Sequence, residues 1–196
     1  MAEAAPLIVM LGGPNGAGKS TTAKAFLRGA LKVDEFVNAD VIAQGLSAFQ
    51  PERAAFEAGR VMLRRLKELA QERRSFAFES TLASRSFAPW IADLRTQGYE
   101  FALLFLWLPS ADHAVARVAE RVRLGGHDVP EAVISRRYFA GLRNFFELYQ
   151  PLADMWRCYD NSRSSEPELI AAGNGRIITA IADSRCWYVV QESIQK

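Results

Sequence analysis

The sequence predicts an α/β protein built on parallel strands, and three observations carry that expectation. The stretch Gly13-Pro14-Asn15-Gly16-Ala17-Gly18-Lys19-Ser20 matches G-x-x-x-x-G-K-[ST], the P-loop pattern. Residues 6–11 before it form a short apolar run, as a strand buried on both faces does, and residues 21–28 after it read as a helix that fades at Gly29. Two further apolar runs, 75–79 and 101–108, are separated from the first and from each other by helical patterns.

The residue types of the loop follow from phosphate chemistry. Glycines let the backbone turn tightly and aim its N–H groups at one anion, and the helix that begins there adds the positive end of its dipole. Lys19 reaches the β- and γ-phosphates of a nucleoside triphosphate, and the Ser20 hydroxyl is a ligand for Mg²⁺. Gly13, Asn15, Gly16, Gly18, Lys19, Ser20 and Thr21 are therefore the candidate ATP·Mg²⁺-binding set.

Composition bounds the rest. A chain of 196 residues, 49 % hydrophobic, fits one globular domain with a sizeable core. Its net charge of +2 gives no electrostatic footprint for general nucleic-acid binding. No apolar run approaches a membrane span, and residues 1–5 lack the basic segment of a signal peptide. Cys158 and Cys186 have no metal-ligand spacing and read as reduced thiols, so the expected compartment is the cytoplasm.

Along the chain, 36–40 reads as a second strand ending in Asp40, with a helical turn or two over 41–46. Ligands of open α/β sheets bind outside the carboxyl ends of strands, so Asp40 shares the P-loop's rim. It either caps the helix or presents a functional carboxylate, and the two roles can coexist. Residues 51–74 form the longest helical candidate, with Phe56, Gly59, Leu63 and Leu66 in one apolar row, Ala55, Met62 and Leu69 beside it, and charges on a solvated face. Glu79 ends the next strand beside Ser80 and Thr81, as a Mg²⁺-side or substrate-orienting carboxylate or as part of a capping turn. Helical residues 87–97 stop at Gly98. The central strand 101–108 lacks a terminal acid, so a Mg²⁺-side carboxylate must come from Asp40 or Glu79.

Ser110 or Asp112 caps a helix whose buried stripe is Val115, Val118 and Val122, with Arg117 and Arg121 on an adjacent face. Gly125-Gly126-His127-Asp128-Val129-Pro130-Glu131 breaks it and starts another, with Asp128 and Glu131 at capping-box spacing. Flanked by Arg121, Arg123, Arg136 and Arg137, this reads as a lid over about 117–137 or as an exposed hairpin; His127 is a turn residue. Ile134, Tyr138, Leu142, Phe145 and Tyr149 form a core stripe, with Arg143, Asn144 and Glu147 off it. A short strand over 158–160, a loop over 162–168, an edge strand over 176–182 and a terminal helix over 187–194 complete one domain, 1–196.

Taken together, the P-loop, Asn38-Ala39-Asp40, Phe78-Glu79-Ser80-Thr81-Leu82, the segment from Arg121 through Gly125-Gly126-His127-Asp128-Val129-Pro130, and Tyr159-Asp160-Asn161-Ser162 resemble the short zeta-toxin-like P-loop kinases. The resemblance implies a three-layer kinase fold with a five-stranded parallel sheet of order 2-3-1-4-5 and a helical lid. It also implies transfer of the γ-phosphoryl group of ATP to the 3′-hydroxyl of the amino sugar in UDP-N-acetylglucosamine. On that basis Asp40 is the general base, Lys19 and Ser20 serve the triphosphate and Mg²⁺, Glu79 and Thr81 belong to the acceptor site, Glu79 also serves the metal, and Arg121 and Arg137 are the lid arginines. An antitoxin is the family's protein partner.

Read from the residues alone, a small-molecule kinase needs a positioned hydroxyl and a charge-stabilising wall, which Asp40 and the arginines supply. A GTPase-like switch would show Asn-Lys-x-Asp and a strand ending in Asp-x-x-Gly, and neither is present. Their absence lowers the weight of a nucleotide-dependent switch or binding module, which stays an alternative beside a kinase for nucleosides or nucleic-acid ends.

Overall fold

The computed structural model describes residues 4–48, 50–163 and 166–194, so the first residues of the N-terminal peptide, part of the 162–168 loop and the last two residues lie outside it. Five apolar runs become parallel strands: β1 (Leu7–Gly12), β2 (Phe36–Val37), β3 (Phe76–Ser80), β4 (Glu100–Trp107) and β5 (Met155–Asp160). They lie in the order β2-β3-β1-β4-β5, as the resemblance implied. The sheet does not stop there. β6 (Glu168–Asn174) and β7 (Ile177–Ile181) add antiparallel to β5, making a mixed seven-stranded sheet in place of the expected five parallel strands. A return from β5 needs no crossover helix when the next strand runs antiparallel. β6 escapes a hydrophobic-pattern reading because its centre is Ala171-Ala172-Gly173. A Cβ at Gly173 would sit 2.1 Å from the Ile177 carbonyl oxygen and 2.6 Å from the Trp156 ring, so the small residue is a packing requirement.

The helices differ from expectation mainly at their ends. α1 (Lys19–Phe26) does not fade at Gly29: a π-turn, Leu27–Leu31, carries it on until Lys32 turns left-handed at φ 51°. α2 (Ala39–Leu46) begins at Ala39, so Asp40 stands in a first helical turn rather than at a strand's end. A 3-10 turn (Pro51–Ala54) leads into α3 (Ala55–Gln71), whose buried row is Ala58, Met62, Leu66 and Leu69. Phe56 (81 % exposed) and Leu63 face outward, contrary to the expected row. Ala43, Ala54 and Ala58 form a small cluster that seats α2 on α3, and this contact sets the rotation of α3.

α4 (Phe87–Thr96) stops at Gly98, φ 90°, as expected. Ser110 caps α5 (Ala111–Arg123) by accepting from the His113 N–H at 3.0 Å. The capping box before α6 (Glu131–Asn144) does not form. Pro130 takes the cap position and Asp128 accepts from the adjacent Val129 N–H instead. A π-turn (Phe145–Tyr149) and α7 (Gln150–Leu152) lead to β5, and α8 (Ser184–Glu192) closes the described chain.

The expected stripe Ile134, Tyr138, Leu142, Phe145 and Tyr149 is core, with Phe145 stacked on Phe105 of β4 at 4.5 Å between centroids. Trp156 of β5 is wholly buried and stacks on Trp187 of α8 at 5.7 Å, which holds the last helix on the sheet. Among the described residues, no helix is long and apolar enough to cross a membrane.

Asp154, just before β5, ties the sheet to α4. It accepts from Arg95 and, at 2.8 Å, from the Phe101 N–H of β4. Burial opposes its charge, but the Arg95 bond, the Phe101 N–H and the nearby guanidinium outweigh burial and hold its carboxyl below the usual range. A depressed folded pKa gives stability that is present above the unfolded value and lost as pH falls through the folded one. Asp154→Asn is therefore expected to unfold at lower urea than the parent at neutral pH, with the gap closing progressively below about pH 4, read from denaturation curves across that range.

Candidate active site

The P-loop is held from behind. Gly13 adopts φ 143°, and a Cβ there would lie 2.4 Å from the Leu106 carbonyl oxygen of β4, so only glycine lets the loop leave β1 this close to the sheet. Asn161, the residue after β5, donates through its side-chain amide to the Ala17 carbonyl at 2.7 Å. Its own carbonyl accepts from the Arg117 guanidinium at 2.5 Å. Gly18 caps α1 at φ 77°, where a side chain would collide with the Asn161 amide at 2.7 Å.

Lys19 folds back over the loop. Its ammonium donates to the carbonyls of Gly13 (2.8 Å) and Pro14 (2.9 Å). Burial lowers its pKa; the carboxylates of Glu79 and Asp40 work against that, and Arg121 and Arg137 add to it. A cation surrounded in this way is desolvated and placed to exchange carbonyl partners for phosphate oxygens.

The acidic side is organised by Asn38, a residue whose role is not evident from its position in the sequence. Its side-chain oxygen accepts from the N–H groups of Asp40 (2.8 Å) and Val41 (3.2 Å), which makes Asn38 the N-cap of α2. Asp40 is thus relieved of the capping role that the sequence left open, and its side chain stands exposed on the site wall. The Asn38 amide nitrogen donates to Glu79 Oε1 at 2.9 Å and to Ser20 Oγ at 3.3 Å. Burial raises the Glu79 pKa, Lys19 opposes it, hydrogen bonds from Ser20 and Asn38 oppose it further, and Asp40 adds to the rise.

Thr81 sits in a rigid turn. Leu82, fully buried, is left-handed at φ 58°, a strained state for a residue with a side chain. Helix α6 and the π-turn after it hold it there. Asn144 donates to the Leu82 carbonyl at 2.7 Å, Tyr149 bonds to the Ser84 carbonyl, and a Cβ at Gly141 would lie 2.2 Å from the Thr81 carbonyl oxygen. Asn144, expected off the core stripe, is buried and braces the Thr81–Ser84 turn.

Arg117, Arg121 and Arg137 line the cavity opposite, whereas Arg123 pairs with Glu120 at the surface and Arg136 faces solvent. Arg121 donates to the His127 carbonyl at 2.8 Å, and its Nε is buried without a partner. His127 enters the site through its backbone, consistent with a turn role. The cavity encloses about 760 Å³, within the range of small-ligand sites. Asn15, Gly16, Gly18, Ser20, Thr21 and Thr81 line it together with Lys19, Asp40, Glu79 and the arginines; Gly13 lies behind it. The Oδ1 of Asn15 is buried and unpartnered there.

Chemically, this is a socket for a polyanion with a carboxylate on its open side. Among the described residues no three His, Cys, Asp or Glu side chains form a metal cage. A divalent cation would take Ser20 Oγ, Glu79 and oxygens of the bound ligand, a set that suits Mg²⁺. Asn161→Ala should leave the Ala17 carbonyl unpaired, costing about 1–3 kcal/mol in chemical denaturation and weakening nucleotide binding measured by calorimetry.

Comparison with known proteins agrees with the fold. A chain of the AvrRxo1-ORF1:AvrRxo1-ORF2 complex with sulphate ions superposes with a TM-score of 0.73 at 18 % identity, covering 94 % of this chain and 63 % of that one. The same complex solved with ATP gives 0.70 at 18 % identity and the same coverage. This chain therefore spans about 63 % of the length of those chains. A chain of the PezAT chromosomal toxin–antitoxin system of Streptococcus pneumoniae gives 0.67 at 17 % identity, covering 100 % of this chain and 80 % of that one. At these identities the likeness is one of fold, that of P-loop kinase-like proteins. An uncharacterized protein of Haemophilus influenzae is 28 % identical over 126 residues, 64 % of this chain and 88 % of that protein. The profile of the AAA domain family matches residues 8–139, well over half of the sequence, and the chain belongs to that family.

Proposed function

We propose that this chain is an ATP-dependent phosphotransferase of zeta-toxin type, which passes the γ-phosphoryl group to a hydroxyl of a nucleotide sugar resembling UDP-N-acetylglucosamine. The observation that carries the reading is Asp40: with Asn38 as the helix cap, its carboxylate stands unbonded on the wall of the cavity that holds Lys19. Support for ATP as donor comes from the fold relative solved with ATP. Support for the zeta-toxin assignment comes from the five motifs and from the toxin–antitoxin relative, which also makes an antitoxin a reasonable partner.

In this reading Lys19 leaves the Gly13 and Pro14 carbonyls for the β- and γ-phosphates, and the loop N–H groups hold the β-phosphate. Ser20 and Glu79 would hold Mg²⁺, which would supply charge neutralisation on the triphosphate. Glu79 and Thr81 orient the acceptor. Asp40 takes the proton of the acceptor hydroxyl as its oxygen bonds to the γ-phosphorus and the bond to the β-phosphate oxygen breaks. Arg121 and Arg137 stabilise the charge on the transferring group. Residues 117–137 serve as the lid of a single kinase domain, 1–196. Its moving part is the connection between α5 and α6, because α6 is anchored to the Thr81–Ser84 turn through Asn144 and the close approach of Gly141. The two unpaired cysteines fit a cytoplasmic enzyme.

The test is incubation with labelled ATP and Mg²⁺ against nucleotide sugars, nucleosides and RNA ends, with product expected on the nucleotide sugars. Asp40→Asn should cut turnover by about 10²–10⁴-fold while ATP still binds, whereas Lys19→Ala should lose both. Parent-like transfer by Asp40→Asn would remove Asp40 as the base.

A further inference from the structure

An asparagine amide has four hydrogen-bonding valences, two accepting and two donating. Asn38 uses all of them. Its oxygen takes the N–H groups of Asp40 and Val41, and its nitrogen gives to Ser20 Oγ and Glu79 Oε1. The residue is 6 % exposed, so water has little access to replace any of these partners. The four groups come from three elements: the first turn of α1, the end of β3 and the first turn of α2. No other side chain of similar size fits this set. Aspartate would keep the cap but cannot donate when ionised, and serine is too short to reach both donors' partners.

We propose that Asn38 is a positioning residue that holds Ser20 and Glu79 together as a ready-made pair for Mg²⁺ and locks that pair to the helix carrying Asp40. The kinetic half of this proposal rests on the phosphotransferase reading; the binding half does not. Capping alone requires only the oxygen of the amide. The nitrogen, which does nothing for α2, is the half that reaches the two oxygens placed to meet a cation. Groups that orient metal ligands from behind typically change metal affinity or activity by 10–100-fold when removed.

The test separates the two halves of the amide. Asn38→Ser and Asn38→Thr both keep a neutral capping oxygen and remove the paired donors. Binding of a non-hydrolysable ATP analogue is measured by calorimetry with and without Mg²⁺, alongside thermal melting and steady-state kinetics. Both variants should melt near the parent and bind the metal-free analogue much as it does, while the gain in affinity on adding Mg²⁺ falls about 10–100-fold. Where turnover is observed, kcat should fall and the acceptor KM should change little. A parent-like Mg²⁺ gain in either folded variant overturns the proposal. So does an equal loss with and without Mg²⁺, or a shared drop in melting temperature with no Mg²⁺-specific loss, since either makes Asn38 a structural cap. If no acceptor is ever phosphorylated, the function fails but the Mg²⁺-dependent binding still decides the role of Asn38.

Discussion

Parallel pairing around β1 forces the chemistry of this chain onto one rim. Leu11 is in register with Glu79 and Gly12 with Ser80, so the carboxylate of β3 ends up level with a residue two positions before the P-loop begins at Gly13. On the other side of β3, Val37 pairs with Phe78, which carries Asn38 to the level of Glu79. β4 aligns Gly12 with Phe105, and Trp107 in turn pairs with Asp160, so Asn161 leaves β5 directly behind the loop. Because all five strands run the same way, their carboxyl ends cannot be dispersed, and the polar residues that follow them converge.

Convergence creates a second demand, since turns and helix ends at a crowded rim leave backbone groups to satisfy. Three buried asparagines meet it. Asn38 caps α2, Asn161 pairs the Ala17 carbonyl, and Asn144 pairs the Leu82 carbonyl in the left-handed turn. Neutral amides in these structural positions leave the charged side chains unspent. Asp40 is free of capping, Lys19 is held only by two carbonyls it can release, and three arginines face the same cavity. The opposed pKa directions of Lys19 and Glu79 follow from the same crowding, as burial pushes each toward its neutral form while each holds the other charged.

Much of this was legible in the sequence, though unevenly. The P-loop pattern, the apolar runs and the acids after two of them placed the parallel sheet and most of the cavity wall, because register and strand direction leave few alternatives. β6 was not legible: its pattern is dominated by small residues whose reason, the approach of Trp156 and Ile177, lies in tertiary packing. The rotation of α3 was not legible either, because Phe56 and Leu63 make a better apolar row than the alanines that fix its contact with α2. The asparagines carry no periodic signal at all. Asn38 precedes an acid and a helix, which hints at a cap, but its donor half depends on residues 18 and 41 positions away. Arg117 likewise acquires its place only through Asn161.

One cavity is expected to hold the triphosphate with its metal on one wall and to leave Asp40 facing the transferred group. A crystal structure with a non-hydrolysable ATP analogue and Mg²⁺ tests it most directly. Lys19 is expected on the β- and γ-phosphates, the cation on Ser20 and Glu79, Arg121 and Arg137 on the γ-phosphate, and Asp40 across an open gap large enough for a hydroxyl. A nucleotide seated with its γ-phosphate away from Asp40, or a cation bound without Glu79, would contradict it.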